Sequence, residues 1–261
     1  MKITLFTSNK SRHNYLINLL SSICDELFVI QECNTIFPGL IPGNYPVSSV
    51  MEDYFKKVNI AQNKLFENSY IDNKKNIKIL PMVSGDLKKC SVKFLSDFLN
   101  SDIYIVFGSS YIKGDLVEFL IKQKTINIHM GVSPYYRGAD CNFWALYDNN
   151  PHLVGATIHL LSKGLDSGPI LYHAMSDIKT DPFEYSMSSV KSAFHSLAKK
   201  IKDKSIFSIT PLIQNLDLEI RYSKKIEFNE AIVKEYYQRK INLKIKKFDN
   251  TMLKEPFFLK N

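Results

Sequence analysis

"KITLFTSNKSRHNYLINLLSSICDELFVIQE", residues 2–32, decides the fold. Its first part, KITLFTS (2–8), is β-branched and apolar and reads as a buried strand. From Ser11 to Ile23 apolar residues recur at helical spacing, with Ser11 standing where an N-cap belongs. ELFVIQE (26–32) is again a strand. A strand, a helix and a strand in succession point to a parallel sheet with helices packed on it.

The alternation continues outward from this unit. A Pro/Gly-rich loop (37–46) leads into an amphipathic helix over 49–68. Strands are expected at 77–83, 102–109 and 125–130, with helices at 92–100 and 114–123. Two further strands, 153–161 and 168–178, precede a long helix over 181–202, with Asp181 as cap and Pro182 at its first position. The fold class is therefore α/β, a Rossmann-like, mostly parallel sheet with helices on both faces. Residues 1–203 form the main domain and 204–261 a small C-terminal extension. In the extension NEAIVKEYYQRK (229–240) reads as a helix, flanked by LEIRYSKKI and INLKIKKF.

Ligands of such sheets sit outside the carboxyl ends of the strands. The first strand–helix turn, TSNKSRH (7–13), holds no glycine, and no GxG or GxxxxGK occurs anywhere in the chain. Nicotinamide cofactors and P-loop chemistry are not expected on that ground. The chain has 261 residues and is 45% hydrophobic and 23% charged, which suffices for a sizeable core. Four cysteines, Cys24, Cys33, Cys90 and Cys141, form neither a CxxC pair nor a zinc spacing, so no metal is expected and a reducing cytosol is the natural compartment. The first residues lack the apolar region of a signal peptide, and no apolar window reaches the ~18 residues of a membrane span. A cytoplasmic protein without a membrane span is the expectation.

The net charge of +8 is uneven: residues 221–261 carry +6 and the other 220 carry +2. A basic tail is either a solvated, Lys-rich surface or a surface for RNA, an acidic membrane or a phosphorylated substrate. No DNA partner is expected, and a homodimer is left open.

Polar chemistry gathers in NIHMGVSPYYRGAD (127–140), at the carboxyl end of the fifth strand. Asn127 and His129 are two apart, so on a strand they face the same way. They are either a hydrogen-bond donor beside an acid–base group, or two polar residues closing a strand. Asp166, between glycines in GLDSG, is by itself a turn residue.

INIHMGVSPYYRGADCNFWAL together with GATIHLLSKGLDSGPIL resembles the folate-dependent formyltransferase family. The resemblance is carried by the Asn-x-His on its strand, the SPYYRG loop, the GATIH strand and the GLDSGPIL loop and strand, over roughly residues 102–175. It implies a catalytic trio of Asn127, His129 and Asp166 and a formyl donor, 10-formyltetrahydrofolate. In that reading Asn127 donates to the oxyanion, His129 stabilises the same oxygen or takes the amine proton, and Asp166 orients a water or favours the charged imidazole. The resemblance puts the donor's pterin between Ser110, Tyr111 and Ile112 on one side and Gly164 and Leu165 on the other. Arg137 anchors its loop through carbonyls or meets substrate, and Trp144 is core or a wall of the amine pocket. Where relatives usually carry a Pro and a Ser after the His, this chain has Met130 and Gly131; it keeps Pro134, Arg137 and Gly138.

Three acceptors are weighed under this resemblance. The purine enzyme places a glycine-bearing phosphate loop after the first strand, where this chain has Ser8, Asn9 and Lys10. The methionyl-tRNA enzyme adds a β-barrel of about 100 residues, more than follow Lys204 here. The reading favoured is an N-formyltransferase acting on the amine of a nucleotide-linked amino deoxysugar, a surface-glycan precursor. Ser8, Asn9 or Lys10, at the start of the first helix, would then contact its phosphate or sugar. A non-catalytic folate-binding relative is the remaining alternative.

Overall fold

Alternation along Lys2–Ser8 (β1) sends Ile3 and Leu5 into one core cluster and Phe6 into another on the opposite face of the sheet. Ile103–Val106 (β4) does the same, with Ile103 and Ile105 on the first face and Tyr104 and Val106 on the second. Both faces are thus apolar, and both must be covered. Ser11–Ser21 (α1) and Pro182–Lys202 (α5) cover the first with Leu16, Ile17, Leu20, Phe194 and Leu197. Gly114–Lys122 (α3) covers the second with Leu116 and Leu120. The computed structural model describes residues 1–34, 48–67, 69–241, 243 and 250–259. The loop expected at 37–46 and most of INLKIKKF lie outside the described residues.

The remaining elements are Glu26–Cys33 (β2), Ser49–Phe66 (α2), Ile77–Val83 (β3), Ile126–His129 (β5), Tyr136–Gly138 (β6), Cys141–Tyr147 (α4), Ala156–Leu160 (β7), Ile170–Ser176 (β8), Arg221–Ser223 (β9), Glu230–Gln238 (α6) and Phe257–Leu259 (β10). Eight strands form one sheet in the order β10-β8-β7-β5-β4-β1-β2-β3, and β6 and β9 form a separate parallel pair. Every pairing in the main sheet is parallel except those of β7, which runs antiparallel to β5 and β8. The chain winds outward from β1 to β3 and returns to β4 on the other side of β1. The strand order therefore reverses beside β1 and β4, where a crevice opens at their carboxyl ends.

The mostly parallel sheet expected from the sequence is present. Three local readings are corrected. The helix expected at 92–100 is reduced to a 3₁₀ turn at Ser96–Phe98, whose bonds run three residues back, Phe98 N–H to Leu95 O at 2.8 Å among them. Only Leu95 and Leu99 of that stretch are buried, too little to hold a short helix against its nucleation cost. Ser11 is the first helical residue and Lys10 takes the cap position, without a side-chain bond to the helix. The seven residues of α4 and the three of β6 were not expected; both are too short to show a periodicity. Asp181 caps α5 as expected, accepting from Glu184 N–H at 2.8 Å.

Two described segments after residue 204 join the sheet. Phe257 of β10 pairs with Ala174 of β8, and Leu212 bridges Ile170. His173 on β8 ties three segments together. Its Nε2 donates to Ser133 O at 2.8 Å, and its Nδ1 accepts from Lys254 N–H at 2.8 Å. These partners define a neutral imidazole. Burial holds its pKa down at about 4, against the bond to Ser133 and with the Lys254 charge, from an ordinary 6.5. The unfolded chain therefore binds the proton first, and stability is lost as pH falls from 6.5 towards 4, by on the order of 3 kcal/mol. Denaturant titrations at pH 7 and pH 4.5 check this. His173→Gln, less stable at pH 7, is expected to lose distinctly less between the two; an equal loss would remove His173 from the account.

Candidate active site

In β5, Ile126 and Ile128 enter the first core, so Asn127 and His129 must face the other way. They turn towards the crevice with Val106, Phe107 and Ile112. Across the antiparallel ladder Asn127 lies directly opposite His159 of β7, and His129 opposite Thr157. Asp166 comes from the loop between β7 and β8 and reaches back over them. A cavity of about 470 Å³ is lined by these groups, by Ser8, Lys10 and Arg12 after β1, and by the segments 107–112 and 161–166. Its size is that of an ordinary small-molecule site.

Contacts within the group are short. His129 Nδ1 is 3.3 Å from Asp166 Oδ2, and His129 Nε2 is 3.1 Å from Tyr136 O. Asn127 Nδ2 lies 2.8 Å from His159 Nε2 and 3.4 Å from Asp166 Oδ1. His159 Nδ1 is 2.8 Å from Leu160 O, so its partners assign the proton to Nδ1 and leave Nε2 to accept from Asn127. That fixes the amide of Asn127 with nitrogen towards His159. Its second N–H has only the long contact to Asp166.

Electrostatics separates the members. Burial alone would raise the Asp166 pKa, but His129, His159 and the backbone N–H of Gly138 bring it down to about 2. Asp166 is therefore ionised at neutral pH. Burial lowers the His129 pKa below the ordinary imidazole value, and the Asp166 carboxylate works against that fall. Both nitrogens of His129 face acceptors, so the ring holds a ready place for a second proton. It can take a proton and keep it beside Asp166.

Two glycines belong to this geometry. A Cβ on Gly131 would stand 2.6 Å from His129 Nε2 and 2.5 Å from Cys141 Cβ. One on Gly168 would stand 1.7 Å from Leu160 O. No side chain fits either position while the imidazole and the loop stay where they are.

The other expected site residues divide. Ser8, Lys10, Ser110, Tyr111, Ile112, Gly164 and Leu165 line the cavity. Ser110 gives both its N–H (2.5 Å) and its hydroxyl (2.7 Å) to the buried carboxylate of Glu32. Tyr111 donates to Lys163 O at 2.9 Å, linking the two expected pterin walls. Asn9 does not line the cavity; its amide is held by the backbone N–H (3.1 Å) and carbonyl (3.0 Å) of Asn34, which does. Arg137 pairs with Glu219 at 2.8 Å and donates to Leu165 O at 3.0 Å, a carbonyl of the loop that carries Asp166 and not of its own loop. Trp144 is 2% exposed and packs in a separate aromatic core with Phe143 and Tyr147 beneath Arg221, so it does not wall this cavity.

Sequence reading passed over His159, Glu32 and Gln214. His159 was legible as the last residue of GATIH at the period-2 spacing of Thr157. Glu32 and Gln214 gave no signal, because their partners are mostly backbone groups far along the chain. Among the described residues no group of three or more His, Cys, Asp or Glu could hold a metal ion, and no helix is long and apolar enough to cross a membrane.

Asn127, His129 and Asp166 thus converge on one cavity at the carboxyl ends of a Rossmann-like sheet. Residues 95–204 match the formyl transferase family model, and the chain resembles the folate-dependent formyltransferases. The methionyl-tRNA formyltransferase of Thermotoga neapolitana is 29% identical over 169 residues, 58% of this chain and 52% of that protein. The chain thus spans about half the length of the curated relatives it matches. A sugar N-formyltransferase from Shewanella sp. superposes with a TM-score of 0.52 at 14% identity, covering 87% of this chain and 78% of that one. An N-formyltransferase from Helicobacter canadensis, solved with folinic acid and dTDP-3-aminofucose, gives a TM-score of 0.50 at 13% identity, covering 90% and 79%. At these identities the solved structures establish a shared fold.

Proposed function

We propose that the chain moves a formyl group from 10-formyltetrahydrofolate to the amine of a nucleotide-linked amino deoxysugar. The observation that carries this reading is the convergence of Asn127, His129 and Asp166 on one cavity walled by residues 107–112 and 161–166. The backbone-rich walls fit a flat, hydrogen-bonding pterin, and Ile112 and Val117 offer it an apolar floor. The bound donor supplies the formyl carbon.

His129, neutral at the start because burial disfavours its charge, accepts the proton of the attacking amine. Asp166 stabilises the imidazolium so formed, and as the bond from the formyl carbon to N10 of the donor breaks, that proton passes to N10 and tetrahydrofolate leaves. Asn127 turns its second N–H to the oxygen on which negative charge develops, while His159 keeps the amide in the right sense.

Lys10 supports the anionic acceptor. It lines the cavity beside Arg12, at the start of α1. Lys10 reaches solvent, but desolvation of its ammonium together with Arg12 and Lys225 lowers its pKa to about 8, with Asp140 opposing. A phosphate placed there would offset the neighbouring positive charges that disfavour the ammonium. A nucleotide-linked amino sugar brings both a phosphate for Lys10 and an amine for His129. The names of the curated relatives favour methionyl-tRNA as the second reading.

The test is an assay with 10-formyltetrahydrofolate against a panel of nucleotide-linked amino sugars, with methionyl-tRNA as the other arm. Formylation of the tRNA alone overturns the sugar reading, and formylation of neither overturns both. With the active acceptor, Lys10→Ala is expected to raise the acceptor KM about tenfold, the scale of one charge-assisted hydrogen bond, and to leave the folate KM unchanged. Wild-type acceptor KM should itself rise as pH passes 8 and Lys10 loses its proton. If both substrates weaken together, Lys10 does not read the phosphate.

A further inference from the structure

Asp166 works only if its loop is held still, and that loop has little means of holding itself. Asp166 sits at φ 48°, in the left-handed region that side chains other than Asn and Asp seldom adopt. Inside the loop the side-chain ties are Ser162 Oγ with Ser167 Oγ at 2.9 Å and with Gly164 O at 3.2 Å. Three loop carbonyls are instead engaged from outside. Arg137 Nη2 donates to Leu165 O at 3.0 Å, and the single Nε2 of Gln214 donates to Asp166 O at 2.9 Å and to Gly168 O at 2.7 Å.

Both anchors depend on the stretch that follows α5. Gln214 is one of its residues, and Arg137 is itself held by Glu219 at 2.8 Å. The stretch is fastened at its two ends, by the paired backbone bonds of Leu212 with Ile170 (2.7 and 2.8 Å) and by Ile220 N–H and Arg221 N–H to Tyr135 O (2.9 and 3.0 Å). Gln214 is 8% exposed, and its amide can face two carbonyls only with nitrogen inward. Gln214 and Glu219 do not themselves line the cavity, and both lie beyond residues 95–204, where the family model matches.

We propose that residues 212–221 brace the loop 162–168, and that Gln214 is a positioning residue that sets the carboxylate of Asp166 against His129. This rests on the formyltransferase reading for its catalytic meaning, though not for its geometry. A loop released by a fraction of an ångström would leave Asp166 close but misdirected, the kind of misplacement that costs far more rate than binding.

The experiment uses Gln214→Met, which keeps the bulk of the side chain and removes its donors. The groups around His129 are Asp166, His159, Arg137 and the carbonyl of Tyr136, and Asp166 is the one that most raises its proton affinity. A histidine NMR titration of the folded protein is therefore expected to show the His129 pKa falling in Gln214→Met, in the same direction as in Asp166→Asn. In kinetics kcat is expected to fall about tenfold to 100-fold with both KM values held. In an Asp166→Asn background Gln214→Met should add nothing to either measurement, since the residue it positions is gone.

An unchanged His129 titration in a folded Gln214→Met protein overturns the brace. So does a loss of rate that persists undiminished beside Asp166→Asn, which would mark a general packing role. The titration needs no formyl donor. A shifted titration in a protein that formylates nothing would uphold the brace and sink the formyltransferase reading instead.

Discussion

Asn127→Ala and His129→Ala each lower formyl-transfer turnover by about 100-fold or more, the scale of one lost oxyanion donor or one lost proton acceptor, in proteins that remain folded. Both side chains leave the same face of β5, away from the core that Ile126 and Ile128 secure, so truncation removes chemistry and spares the sheet. The two losses should differ in kind. Asn127→Ala removes the donor whose second N–H is available to a developing charge, and lowers kcat across the pH range. His129→Ala removes the group that takes the amine proton, and its residual rate should rise with pH as free amine accumulates. Initial rates with the accepted amine from pH 5 to 9 measure both. Two purified variants with near-wild-type turnover would sink the assignment.

Asp166→Asn keeps the shape of the carboxylate and removes its charge, and is expected to cost about 100-fold in turnover. The more telling result is the pH profile. Burial lowers the His129 pKa and Asp166 opposes that effect, so loss of the carboxylate lets the pKa fall further. The acid limb of the profile, set by protonation of the base, should therefore move to lower pH in the variant. A limb that stays in place would mean that Asp166 acts on something other than His129. A limb that moves upward would contradict the electrostatics outright. Because Asp166 is held at about 2 by His129 and His159, no titration of its own should enter the neutral range in wild type.

Much of the chemistry was legible before any coordinates, because strands have a period of two. Asn127 and His129 had to share a face, and alternating apolar and polar residues in β5 said which face would be buried. The β–α–β reading of residues 2–32 fixed the sheet class, since each element there carries enough apolar residues to declare its own period. Asp181 and Pro182 announced the start of α5 through chemistry confined to one turn, which a sequence displays in full. The stretch 92–100 failed as a helix for the converse reason. Its apolar residues suit a helix, but what decides a short segment is the tertiary surface available to it.

Only the tertiary structure decided who surrounds the trio. His159 stands 32 residues from Asn127 and meets it because β7 runs antiparallel beside β5 with those two residues in register. Trp144 belongs to the aromatic core around α4, and Asn9 to a backbone clasp with Asn34; neither placement can be read from a residue type. Glu32 and Gln214 hold their loops through backbone N–H groups and carbonyls, which every residue possesses and which leave no mark in a sequence. The sequence by itself determined the residue types, the strand periods and hence the face that bears the chemistry. Which distant side chains complete the site, and how firmly Asp166 is held there, came from strand order and register, because those are set by contacts summed over the whole chain.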